Sequence, residues 1–321
     1  MQQLILTGVL VTHNRPHLAC EVVQSCVDQT LTPNTFVVVD VGTDPFDPTA
    51  LPLASRIHVI RTQKNLGPAG AIPLAAEYLA TTSDIQNQLV VLLDDDDPFR
   101  DRQCVERAVR ALLDAEAKLG GRRIAGVGHR GSVFDTRRML TKRPEKLPTE
   151  AVVEVSSLHG GYCPVYRLAA LLDLPDWVQT MFWGFEELGL GMHLRAQGWT
   201  LLSLEDDRVL GPEKSVRLHQ HPRLLVESLP TLRRYYGLRN LISLQTRFGS
   251  SRIAVLQGAL RGIAKPLLSI PIRPRAAWKA LAYGTLAVVD GLARRHRFLG
   301  APGAAPSVST VFRTAFRLKG H

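Results

Sequence analysis

Along the first two thirds of the chain, short apolar runs alternate with helix-length amphipathic stretches, the signature of a sheet with crossover helices. "LTGVLV" ends in the polar turn "THNRP", and residues 17 to 29 follow with helical spacing. "TFVVVD" predicts a second strand ending at Asp40, and "RIHVIRT" a third. "NLGPAGAIPLAAEYLA" reads as a glycine-rich turn opening a helix despite Pro73, and "QLVVLL" as a strand that runs straight into four aspartates, Asp94 to Asp97. In open α/β sheets ligands bind at the carboxyl ends of the strands. Thr12 to Arg15, Asp40, Asn65 to Gly70 and Asp94 to Asp97 all fall at such ends.

Further along, residues 100 to 119 predict a helix, "RRIAGVGHRGSVF" a strand and turn, and residues 136 to 151, rich in Lys, Arg, Pro and Glu, an exposed loop. "SSLHGGYCPVYRLAALLDLP" and "WGFEELGLGMHLRAQGWTLL" follow, the second with Leu190, Leu194 and Trp199 spaced for a helix leading to a strand. From about residue 222, basic residues interleave with apolar stretches punctuated by Pro266, Pro271 and Pro274. No internal repeat is visible. The pattern divides the chain into residues 1–125, 126–221 and 222–321.

Composition narrows the class. A chain of 321 residues with 45% hydrophobic content can bury a substantial core, so disorder is not expected. The net charge of +10 is unevenly placed. Residues 1 to 221 hold 22 Lys and Arg against 27 Asp and Glu, whereas residues 222 to 321 hold 17 against 2. The basic excess therefore belongs to the last third, which points to an anionic surface as its partner. Cys20, Cys26, Cys104 and Cys163 show neither CxxC nor zinc-ligand spacing, which fits a reducing compartment. The apolar stretch Leu4 to Val11 is too short to span a membrane and leads into a polar turn, so it reads as a first strand rather than a signal.

Asp94 to Asp97 pose the chemical question. Like charges this close raise one another's pKa and destabilise the fold unless a cation or a set of donors sits among them. Closely spaced carboxylates at a strand end suit a hard divalent cation such as Mg²⁺ or Mn²⁺.

The motifs "VTHNRP", "VVVD", "NLGPAGA", "LLDDDDP", "GGYCPVYRLAAL" and "WGFEELGLGMHLRAQGW", in that order over roughly residues 5 to 220, resemble the nucleotide-sugar-dependent, inverting glycosyltransferases of family 2. The resemblance implies a GT-A fold, a Rossmann-like mixed α/β sheet flanked by helices, here with a C-terminal basic helical extension. It implies that Asp94 and Asp96, or Asp95 and Asp97, form the family's DxD element with Mg²⁺ or Mn²⁺; Asp94 and Asp96 are preferred because Asp94 directly follows the apolar strand. On the donor side it implies that Asp40 accepts a hydrogen bond from the nucleotide base and that Thr12 lines the same pocket. Asn14, Arg15, Asn65, Gly67, Asp94 and Asp95 complete that set.

For the acceptor side, the resemblance places the catalytic base at Glu187, with Glu186 as its rival. Glu stands here where the family usually has Asp, and Gly189 where many members have a further acid. His219, or its neighbour His221, matches a histidine that supplies another metal ligand. The segment His159 to Gly161 resembles one that lines the acceptor pocket, while His13 and His193 read as structural. The "NLGPAGA" turn and Arg239-Asn240 are similar to those of bacterial galactofuranosyl- and rhamnosyltransferases. UDP-galactofuranose or dTDP-rhamnose is then the expected donor, and a lipid-linked or glycan acceptor is expected at the cytoplasmic membrane face in cell-envelope polysaccharide synthesis.

Other classes fit less well. A nucleotidyltransferase would be expected to carry a glycine-rich loop after the first strand, and "VTHNRPH" has no glycine. A nucleic-acid or polyanion-binding protein would account for the basic tail but not for the acidic cluster, and no nucleic-acid motif is present. An inactive family member acting as a scaffold differs only in turnover of the donor.

Overall fold

A computed structural model describes residues 4–82, 84–147, 151–206, 231–249, 251–268 and 274–300. The chain separates into two compact units: residues 1–134, 141–179 and 187–220 form the first, and residues 135–140, 180–186 and 221–321 the second.

Among the described residues, the first unit is built on eleven strands and six helices. In chain order these are β1 (Ile5–Thr12), α1 (Pro16–Val27), β2 (Thr35–Asp40), β3 (Ile57–Arg61), α2 (Gly67–Thr82), β4 (Gln88–Asp94), α3 (Cys104–Lys118), β5 (Arg123–Gly128), β6 (Gly131–Asp135), β7 (Leu140–Lys142), β8 (Val153–Val155), β9 (Ser157–Leu158), β10 (Val165–Arg167), α4 (Leu168–Leu172), α5 (Asp176–Gln179), α6 (Glu186–Ala196) and β11 (Trp199–Ser203). Eight strands make one mixed sheet in the order β3-β2-β1-β4-β10-β5-β11-β8. The pairs among β1 to β4 are parallel, while β10 runs antiparallel to both β4 and β5. The Rossmann-like sheet flanked by helices that the motifs imply is thus present.

Why these runs became central strands follows from their periodicity. Successive residues of a strand face opposite sides of the sheet. Leu6, Leu10, Phe36, Val38, Leu89, Val91 and Leu93 join one buried cluster with α1 and α3 residues such as Val22, Val23, Val109 and Leu112. Val9, Val37, Val39, Val90 and Leu92 join the other, with Ala71, Ala75 and Leu79 of α2 and Leu190 and Leu194 of α6. Both faces are covered, so the strands are apolar throughout.

Two expectations are corrected. The segment 136 to 151 is not loop alone: Leu140–Lys142 forms β7, which joins β6 and β9 in a separate three-stranded sheet. Helix α3 begins at Cys104 rather than near residue 100, after a turn in which Asp101 Oδ1 accepts from the N–H of Gln103.

Among its described residues the second unit has the helices α7 (Thr231–Phe248), α8 (Arg252–Leu268) and α9 (Pro274–Leu292). Phe182, Leu232, Tyr235, Tyr236, Tyr283 and Leu286 form its aromatic core. The basic tail is not simply a surface extension, because Arg239, Asn240, Ser243, Gln245 and Asp290 are all buried within it. Among the described residues, no helix is long and apolar enough to cross a membrane.

Candidate active site

The register of the parallel strands lines up the polar residues at their carboxyl ends. Thr12 on β1 lies opposite Asp40 on β2, and Val11 lies opposite Asp94 on β4. A tight turn follows β4, closed by a 3.2 Å hydrogen bond from the N–H of Asp97 to the carbonyl of Asp94. This turn makes the four aspartates alternate: Asp94 and Asp96 are exposed, Asp95 and Asp97 buried.

Asp95 is held by β1 and the turn after it. Its Oδ2 accepts from Thr12 Oγ1 at 3.2 Å and from the N–H of His13 at 3.3 Å, and its Oδ1 accepts from Arg15 Nη1 at 2.9 Å. The same Arg15 nitrogen donates to Asp96 Oδ2 at 2.8 Å. Burial pushes the Asp95 carboxyl above its ordinary range, a change that Arg15 and the His13 N–H oppose without cancelling. Carboxylate oxygens of Asp94, Asp95 and Asp96 come within 4.8 Å of one another. These are hard oxygen donors of the kind that suit a divalent cation such as Mg²⁺ or Mn²⁺, and Asp94 and Asp96 are the two of the three that face solvent.

Other expected donor-side residues shape the loops around this cluster. Asp40 is 1% exposed, and its oxygens accept from the N–H groups of Gly42 at 2.9 Å and Phe46 at 3.0 Å, closing the loop after β2. Asn14, with φ 56°, accepts through Oδ1 from the N–H groups of Thr43 at 2.7 Å and Asp44 at 3.0 Å, tying the β1 turn to that loop. Asn65 Oδ1 accepts from the N–H of Gly67 at 2.9 Å, and Gly67 opens α2 with φ 62°, a conformation that favours glycine. Gly70 serves packing: a side chain there would meet Leu66 Cβ at 3.1 Å and the carbonyl of Gln179 at 3.4 Å.

Gly160 lies against carboxylates of both Glu187 and Asp94. Its N–H donates to Glu187 Oε1 at 2.5 Å. A Cβ at Gly160 would stand 2.8 Å from that oxygen and 3.7 Å from Asp94 Oδ2. The first turn of α6 and the end of β4, nearly a hundred residues apart in sequence, thus meet at one residue without a side chain. Gly161 has the same relation to Asp97, whose Oδ2 leaves no room for a Cβ there. Tyr166 is also close enough that Glu187 adds to the effect of burial in raising its phenol pKa. Glu186 is the first residue of α6, immediately before Glu187.

The histidines divide. His159 bonds through Nε2 to Ser132 Oγ at 2.7 Å, and burial with neighbouring Arg130 lowers its pKa. His193 bonds through Nε2 to the carbonyl of Asp173 at 2.8 Å, a structural contact that matches expectation. His219 and His221 lie outside the described residues. The sequence offered no sign that the N–H groups of His13 and Gly160 bind Asp95 and Glu187, since main-chain donors leave no trace in residue type; the glycine pair at 160–161 was the one available signal.

Residues 8–171, just over half of the chain, match the family model described as Glycosyl transferase family 2. Among solved structures, the mannosyltransferase PcManGT from Pyrobaculum calidifontis in complex with GDP-Man and Mn²⁺ is similar at 16% identity and a TM-score of 0.48, with 89% of this chain and 86% of that chain covered. S. aureus TarS 1-349 in complex with UDP-GlcNAc is similar at 15% identity and a TM-score of 0.48, with 90% of this chain and 82% of that chain covered. No curated protein matches the sequence.

Proposed function

The chain belongs to glycosyl transferase family 2 and is a glycosyltransferase; from that premise we propose that it is a metal-dependent, inverting enzyme moving a sugar from a nucleoside-diphosphate donor to a lipid-linked or glycan acceptor. The observation that carries this reading is the convergence at Gly160, where Glu187 and Asp94 both lie within 4 Å of the position a Cβ would take. A base for the acceptor and a ligand for the donor's cation need to be neighbours, because bond making and bond breaking occur at one anomeric carbon.

In this reading Glu187 takes the proton of the acceptor hydroxyl as that oxygen attacks the anomeric carbon, and the bond to the diphosphate breaks with inversion. The Gly160 N–H orients the carboxylate. Asp94 and Asp96 would hold the divalent cation, which when bound neutralises charge on the departing diphosphate. His219 is assigned as a further ligand. Arg15, bridging Asp95 and Asp96, keeps the cluster compensated. Thr12, Asn14, Asp40, Asn65 and Gly67 form the donor's nucleotide side. Galactofuranose from UDP or rhamnose from dTDP is the favoured sugar, on the likeness of the "NLGPAGA" turn and Arg239-Asn240 to transferases of those sugars.

Placement on the inner face of the plasma membrane is supported by the second unit. Ile253, Leu256, Leu260 and Leu267 are 69%, 59%, 55% and 45% exposed and recur along one face of α8. That helix carries three basic residues and no acid. An amphipathic helix of this composition suits an anionic leaflet, where lipid-linked acceptors reside.

The test is a panel of nucleotide sugars offered to the purified protein with Mn²⁺, read by thermal shift and then by product formation. UDP-galactofuranose or dTDP-rhamnose should stabilise the protein and be consumed. Absence of stabilisation or turnover with every nucleotide sugar would refute the reading.

A further inference from the structure

Arg239 and Asn240 sit within α7, in the most basic part of the chain, yet both are fully buried. Four of their hydrogen bonds go to one short segment. Asn240 Nδ2 donates to the carbonyls of Met181 at 3.1 Å, Trp183 at 3.0 Å and Gly184 at 2.6 Å. Arg239 Nη2 donates to the same Met181 carbonyl at 2.6 Å, its Nη1 to the carbonyl of Arg297 at 2.8 Å, and its Nε to Asn240 Oδ1 at 2.8 Å. The guanidinium lies 5.4 Å and 4.9 Å from the ring centres of Tyr235 and Tyr236. Every contact of this network is internal to the second unit.

The captured segment is strained. Phe182, Gly184 and Phe185 all adopt positive φ, at 67°, 80° and 63°. Two of the three are aromatic residues in a region that bulky side chains rarely adopt. Such a conformation persists where its surroundings over-determine it. Here the carbonyls of Met181, Trp183 and Gly184, three within four residues, are pinned by a buried amide and a buried guanidinium. Burying an arginine is costly, and apolar residues of similar volume often stabilise a core as well or better. Stability alone is therefore a weak reason for the arrangement. What distinguishes the segment is its continuation: Phe185 is followed directly by Glu186 and Glu187, the first turn of α6.

Resting on the assignment of Glu187 as the base, we propose that Arg239 and Asn240 are positioning residues that fix the strained 181–185 segment and so set the start of α6 and the direction of the Glu187 carboxylate. They touch neither donor nor acceptor. Their effect reaches the reaction through the chain.

The test uses the full-length protein with two variants that act on the segment from opposite sides. Asn240→Ala removes the amide that binds three carbonyls. Gly184→Ala leaves the buried pair intact; the added methyl would have its nearest neighbours at 3.4 Å on Gly237, but its φ opposes any residue other than glycine. Each should lower kcat about tenfold or more while nucleotide affinity, measured by titration, changes less than about twofold. Combined with Glu187→Gln, neither should lower kcat further, because both routes disable the same carboxylate. A loss that multiplies with that of Glu187→Gln, an equal loss of nucleotide affinity, or a lowered melting temperature with unchanged kcat in both variants would each overturn the proposal. Near-normal turnover of Glu187→Gln alone would remove Glu187 as base, and the cycle is then read against Glu186→Gln with the same two outcomes.

Discussion

Arg15 Nη1 lies 2.9 Å from Asp95 Oδ1, so a side chain from the turn after β1 supplies a cation inside the acidic cluster that ends β4. The pairing explains how four successive aspartates can share a turn in the folded protein. It also sets the background against which a metal must act, since Asp96 shares the same nitrogen at 2.8 Å.

Removing that cation should make the cluster depend more on a metal. Arg15→Ala is expected to lower the melting temperature of the metal-free protein, because Asp95 is buried and loses its only ionic partner on the β1 turn. The rise in melting temperature on adding Mg²⁺ should exceed that of the parent protein by about 2 °C or more, roughly the scale of 1 kcal/mol in a domain of this size. A smaller metal response than the parent's would contradict the compensating role of Arg15.

The metal response should also depend on pH in a defined direction. Burial holds the Asp95 carboxyl above its ordinary range. A group with a raised folded-state pKa binds its proton more tightly when folded, so the contribution of its neutral form is present at low pH and is lost as pH rises through that raised value. A cation requires ionised ligands. The stabilisation by Mg²⁺ should therefore be small near about pH 4 and grow toward about pH 7, as the buried Asp95 carboxyl within the cluster loses its proton. Thermal melts across that range, with and without the metal, provide the comparison, and a response independent of pH would separate the metal from this cluster.

Turnover itself should need the cation. Excess EDTA is expected to abolish sugar transfer, with recovery on adding Mn²⁺ or Mg²⁺ back. Asp96→Ala should remove activity with little change in melting temperature, because its side chain is 44% exposed and exposed ion pairs contribute about 0–1 kcal/mol. Turnover in excess EDTA would sink the metal assignment.

Much of the first unit was legible in the sequence, for a physical reason. Strands buried on both faces must be apolar throughout, so Val37 to Val39 and Leu89 to Leu93 announced themselves, and the polar residues that interrupt them, Asp40 and Asp94, marked the carboxyl ends. β7 escaped because three exposed residues with basic neighbours carry no periodic signal. The tail was less legible. Arg239 and Asn240 stood out only by their likeness to a pair in other transferases, and their burial depends on carbonyls of Met181, Trp183 and Gly184, whose availability is a matter of backbone strain rather than residue type. Likewise Gly160 could be seen to be small, but not that a carboxylate 27 positions away would need the space.

The base and its glycine can be separated experimentally. Glu187→Gln should reduce kcat by about 10²-fold or more with nucleotide affinity nearly unchanged, as expected when a general base is removed. Glu186→Gln is the control; a dead Glu186→Gln with a near-normal Glu187→Gln would shift the assignment by one residue. Gly160→Ala should resemble Glu187→Gln, because its methyl would stand 2.8 Å from Glu187 Oε1 and force the carboxylate aside. An expected fall of about tenfold or more in kcat, at unchanged nucleotide affinity, distinguishes this displacement from loss of the donor site.

The remaining prediction concerns the exposed face of α8. Ile253, Leu256, Leu260 and Leu267 recur at three- and four-residue multiples on the same side of the helix, and Trp278, Val289 and Leu292 of α9 are also exposed. The last hundred residues carry 17 basic side chains and 2 acidic ones, and of those two Asp290 is fully buried. An exposed apolar face on a helix with three basic residues and no acid, too short of apolar length to span a bilayer, suits the interface of an anionic leaflet. Truncation near residue 245 would be a poor probe, since it cuts α7 just beyond the buried Arg239 and removes Asp290, which accepts from Tyr235 Oη at 2.8 Å. Substitution on the surface avoids this. The full-length protein should co-sediment with vesicles containing phosphatidylserine and be released as salt rises toward about 1 M, where the Debye length shrinks to about 3 Å. Leu256→Ser with Leu260→Ser should weaken that binding about tenfold or more, as expected from removing two side chains worth about 1.5–3 kcal/mol each when fully buried, while nucleotide affinity stays at the parent value. Unchanged vesicle binding by the double variant, or a change in sedimentation coefficient showing that the face instead joins two copies of the chain, would overturn the membrane assignment of α8.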